Sequence, residues 1–150
     1  MKITLDSFFG DKNAPLYQSG ALIIVVLVAN LIGKMIQSTG ISEWSELFPW
    51  IIAGSILLSF AFFNALIGLI TTIGKVEYYQ KSVIGFVILA IVAGLLAYLF
   101  SSLTIGEAGT MRWIYIVISI GYLIFMGIMM LMRTIVEIAQ KEDENLRSNN

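Results

Sequence analysis

Few residues in this chain are equipped for chemistry. Its 150 residues include no Cys and no His, which removes disulfides, thiolate or imidazole metal ligands, His-ligated haem and every Ser-His or Cys-His nucleophile. Glu43, Glu46 and Glu107 are spread over two connecting segments, so the paired carboxylates of glycosidases and metal-dependent hydrolases are missing. Glu43 and Glu46, three apart, read as a solvated helix face rather than a cation site. No phosphate-cradling glycine loop, nucleophile elbow or metal-ligand spacing occurs. The first-span glutamate of small multidrug exporters and the His ligands of haem-bearing anchor subunits have no counterpart, and no fluoride-channel signature is present. The chain therefore reads as non-catalytic, with no cofactor and no metal site.

What polarity remains lies inside long apolar runs. Lys34 is the one ionisable side chain within them, near the end of its run, where a four-carbon stem can carry the ammonium to the boundary. Without an embedded Asp or Glu, proton-coupled transport loses its usual proton carrier. Asn30 and Asn64 sit deeper and must find hydrogen-bond partners. Counted from the run ends they differ in depth by roughly 9 Å at 1.5 Å per residue, so each is expected to bond a backbone carbonyl, a Ser such as Ser55 or Ser59, or a partner subunit, rather than the other. Small residues four apart permit close helix approach: Ser55 with Ser59 and Asn64 with Gly68 in the second run, Ala90 with Gly94 and Ala93 with Ala97 in the third. These positions are read as helix packing or as a polar lining.

The elements that hold these residues follow from composition. Apolar residues make up 58% and charged residues 13% of the chain, outside the range of soluble domains. A net charge of -1 without a basic cluster excludes a nucleic-acid partner. Crossing a bilayer core takes roughly 20 apolar residues as a helix, and four runs qualify: 17–36, 50–73, 83–103 and 113–132. They lack the alternation of barrel strands. The expected fold is all-α, a polytopic bundle of four transmembrane helices (17–132) with short loops. A segment 1–16 precedes it, with no cleavage signal, and a helical tail 133–150 follows it.

Loop cations set the expected orientation. With the N-terminus inside, Lys2, Lys12, Lys75, Lys81, Arg133, Lys141 and Arg147 are cytoplasmic, seven against Lys34 and Arg112 outside. Both ends are then cytoplasmic, and a bacterial cytoplasmic (inner) membrane is the expected location. Trp44, Trp50 and Trp113 mark the outer boundary and Tyr17, Tyr78 and Tyr79 the inner one. Lys34, Arg112 and Arg133 anchor span ends. Residues 74–82 read as a tight turn, which makes the second and third helices antiparallel neighbours. In the first outer loop, Ile41, Trp44, Leu47 and Phe48 recur at near-helical spacing until Pro49.

In the tail, Ile135, Ile138, Ala139 and Leu146 form an apolar stripe suited to docking. The functional expectation is an accessory or structural subunit of a larger membrane complex, in contact with lipid and with a membrane-protein partner or itself. The alternative is a homo-oligomeric small channel or solute carrier lined by Asn30, Ser55, Ser59, Asn64 and Lys34.

Overall fold

A computed structural model describes residues 13–40, 45–70 and 76–148. They form four helices: α1 (Ala14–Ser38), α2 (Phe48–Ile70), α3 (Val76–Ser101) and α4 (Thr110–Ser148). Each is long and apolar enough to cross a membrane. The segment 1–12, residues 41–44 of the first outer loop including Trp44, residues 71–75 and the last two residues lie outside the described residues.

Helix ends follow local chemistry and differ from the expected boundaries. Pro15 occupies the first turn of α1, where its missing N–H is not needed, so the helix begins before residue 17. At the other end the Thr39 hydroxyl donates to the Ile36 carbonyl at 2.7 Å. Gly40 then takes φ +69°, the left-handed conformation that ends a helix most easily at glycine. Pro49 likewise falls in the first turn of α2, opening that helix rather than closing a loop helix.

The largest difference is α3, which starts at Val76, so residues 76–82 are helix and not turn. The polar run Glu77-Tyr78-Tyr79-Gln80-Lys81 hides a helical stripe: Tyr78, Tyr79, Ser82, Gly85, Phe86, Leu89, Ala93 and Ala97 are all buried. Their spacing of three and four keeps them on one face.

α2 and α3 form the central pair. Each packs against the other and against both α1 and α4, while α1 and α4 do not meet among the described residues. Val26, Leu57, Phe60, Phe86, Leu89 and Ala93 close the middle of the bundle. Phe60, Phe86 and Tyr122 bring three helices together, with ring centroids 4.3 Å apart for Phe86 and Tyr122 and 6.2 Å for Phe60 with each. Much of the outer surface is apolar, including Ile24, Leu58, Phe62, Ile91 and Val117, as helices matched to hydrocarbon require.

One contact dictates a glycine. A Cβ on Gly85 of α3 would lie 2.9 Å from the Pro15 carbonyl oxygen of α1, so the two backbones touch there. α4 is the exception in length: 39 residues against 23 to 26 for the others, about 58 Å at 1.5 Å per residue. It continues without a break beyond Arg133.

Candidate functional site

Polar side chains gather in two places, separated along the bundle by the apolar layer of Val26, Leu57 and Leu89. The first is a buried network contributed by all four helices, in the half where α3 begins. The Asn64 amide nitrogen donates to the Gln18 side-chain oxygen and to the Phe60 carbonyl, both at 3.1 Å. The Asn64 oxygen accepts from the Tyr78 hydroxyl at 3.3 Å and from the Ser82 hydroxyl at 3.2 Å. Ser82 and Tyr122 then share a hydrogen bond of 2.6 Å. An amide has two donor and two acceptor sites, and Asn64 makes four bonds.

Asn64 thus joins Gln18 of α1, Tyr78 and Ser82 of α3 and, through Ser82, Tyr122 of α4. Interhelical bonds of this kind are worth on the order of 1 kcal/mol each in a membrane. A closed network specifies one packing more than it adds stability. Nearby, the Tyr79 hydroxyl donates to the Gly68 carbonyl at 2.8 Å, and Lys81 donates to the Asn13 side chain.

The second place is a cleft of about 210 Å³ where α1 and α3 end and α2 begins. Asn30, Gly33, Lys34 and Gln37 line it from α1, at helical spacings of three and four. Phe48 and Pro49 of α2 and Phe100 and Ser101 of α3 form the facing walls, with Ser45 and Glu46 at the rim. The Asn30 nitrogen donates to the Val26 carbonyl of its own helix at 2.9 Å. Its oxygen, on a residue only 1% exposed, has no partner among the described residues. Leaving such a group unsatisfied costs about 1–3 kcal/mol. The Lys34 ammonium lies 5.7 Å from the centre of the Phe100 ring, a cation–π contact.

No family model, curated protein or solved structure matches the chain.

The residues singled out in the sequence are distributed unevenly. Asn30 and Asn64 are both buried and do not bond each other. Ser55 and Ser59 are exposed on α2, the Ser59 hydroxyl donating to the Ser55 carbonyl at 2.8 Å. Gly68 packs against Tyr79, and Gly94 against Tyr115, whose hydroxyl donates to the Ala90 carbonyl.

Among the residues read as boundary anchors, Trp113 is 60% exposed, with the Arg112 guanidinium 5.2 Å from its ring centre. Trp50 is 3% exposed. Its indole N–H donates to the Leu103 carbonyl at 3.1 Å, and it meets Tyr115 edge-on at 5.8 Å. Tyr78 and Tyr79 are buried as well, and their hydroxyls donate to acceptors on α2. Arg133 is half-buried on α4. Ile135, Ile138, Ala139 and Leu146 are all exposed.

Sequence reasoning did not single out Gln18, Ser82, Gly85 or Tyr122. Tyr122 carried a signal: a phenol in mid-span needs a partner. Ser82 was obscured by its assignment to a turn. Among the described residues no three His, Cys, Asp or Glu side chains converge.

Proposed function

We propose that the chain is a non-catalytic membrane component of a larger membrane assembly, docking to a protein partner through the extension of α4. The observation that carries this reading is that extension. Ile135, Val136, Ile138 and Leu146 are between 48% and 66% exposed. They lie beyond the roughly 20 residues a bilayer core can cover. An apolar stripe in water is costly unless another surface covers it. The network at Asn64 supports the same reading, since the four hydrogen bonds of its amide are all made within the bundle and tie helices together.

In this proposal the membrane is a bacterial cytoplasmic membrane, with both termini and the α4 extension on its cytoplasmic side, as the distribution of loop cations favours. Ile138→Glu places a charge in the stripe without touching the bundle. Purified in mild detergent, the variant is expected to insert normally and to lose the partner that the wild type retains. Unchanged co-purification would remove this docking surface from the proposal.

A homo-oligomeric channel or solute carrier is favoured by one observation: Ser55 and Ser59 are exposed beside Leu58, Phe62 and Phe63. A second copy of α2 would cover hydroxyls otherwise turned to lipid. In that reading Ser59→Leu abolishes flux in liposomes while the fold persists.

A further inference from the structure

The cleft at the end of α1 has a chemistry that helix packing does not account for. Its base holds a buried acceptor, the Asn30 oxygen, that no described group satisfies. Along one face of α1 above it come the Lys34 ammonium and the Gln37 amide, so α1 presents a ladder of hydrogen-bonding groups at intervals of about one turn. Among the described residues the cleft holds one cation, Lys34, and one carboxylate, Glu46, so a ligand with net charge of either sign meets a like charge there.

What such a cleft needs is a neutral molecule bearing several groups that both donate and accept. A hydroxyl does both. Phe48 and Phe100 supply apolar walls, against which the C–H face of a ring can lie. The volume of about 210 Å³ equals that of about seven waters at their share of the bulk liquid, room for one six-membered ring with its hydroxyls.

We propose that this cleft binds a neutral polyol of monosaccharide size, with one hydroxyl donating to the Asn30 oxygen and others engaging Lys34, Gln37 and Glu46. The same chemistry is available from a free sugar and from the sugar headgroup of a glycolipid. Asn30 lies about 6 Å further into the bundle than Lys34 at 1.5 Å per residue, so the ligand enters past the ammonium and turns its innermost hydroxyl to the amide.

The test uses the full chain in nanodiscs of phosphatidylcholine, which carry no sugar detergent to compete. Glucose, galactose and myo-inositol are titrated by calorimetry, and nanodiscs doped with monoglucosyl diacylglycerol are examined by native mass spectrometry. Saturable binding of at least one free polyol, or selective retention of the glucosyl lipid, is expected, and identifies which source is used. Asn30→Leu and Lys34→Gln should each weaken it about tenfold, while Gly121→Ala, far from the cleft on α4, leaves it unchanged.

Lys34 is exposed, so its variant keeps the test valid should Asn30→Leu fail to fold. No binding of any of these probes would overturn the proposal, because water alone would then satisfy Asn30. Binding unaltered in both variants would also overturn it, as would tighter binding of glucose 6-phosphate than of glucose.

Discussion

At the scale of single residues, the Asn64 amide makes four hydrogen bonds, whereas the buried Asn30 oxygen has no partner among the described residues. Replacing Asn64 by Leu removes one hydrogen-bond partner from each of Gln18, Tyr78 and Ser82. Unfolding in mixed micelles should show a loss of roughly 1–3 kcal/mol. Tyr122→Phe, which removes only the terminal hydroxyl of the chain of bonds, should cost less, about 0.5–1.5 kcal/mol. Equal effects would mean that Asn64 is not the hub.

Outside the helices, Glu107 accepts from the Thr104 backbone N–H and from its hydroxyl, both at 2.8 Å. These bonds, the backbone one first, hold its carboxyl below the usual value of 4.5. A depressed carboxylate contributes fully above its ordinary pKa and loses that contribution as pH falls through the lowered one. NMR titration should therefore find Glu107 more acidic than an ordinary glutamate, and Thr104→Val should raise it. A Glu107 that titrates at the ordinary glutamate value would show that the turn does not persist in solution.

At the scale of elements, the α1–α3 contact is set by a missing side chain. Gly85→Ala forces a methyl group against the Pro15 carbonyl and should destabilise the bundle by about 1–3 kcal/mol. Gly121 on α4 has nothing within 4 Å of the same added carbon, so Gly121→Ala should be neutral or stabilise by about 0.5–1 kcal/mol through helix propensity. Parallel unfolding curves settle the comparison, and equal losses would contradict the close approach.

The existence of these helices was legible in the sequence, because apolar length alone demands them. Their ends were less so. The start of α3 was hidden because Glu77, Gln80 and Lys81 make its first turns look like loop, although Tyr78, Tyr79 and Ser82 bury the opposite face. Trp50 and Trp113 look equivalent in sequence, each opening a run after a loop. Tertiary contacts with Leu103 and Tyr115 are what distinguish the buried one.

At the scale of the whole molecule, two central helices flanked by α1 and α4 form the bundle, with a shared polar network at one end and a polar cleft at the other. Which polar residues converge depends on partners 14 to 46 positions apart, beyond the reach of local spacing, and so the network was not visible beforehand beyond Asn64 itself. The long α4, by contrast, was readable from its unbroken pattern past Arg133. Its exposed stripe makes the molecule incomplete by itself in the proposal advanced above.

The most direct test is the native mass of the tagged full chain extracted in mild detergent. A stoichiometric complex with an unlike membrane protein is the expected result. A homogeneous homo-oligomer containing no other chain would contradict the accessory role and leave the channel or carrier reading in its place.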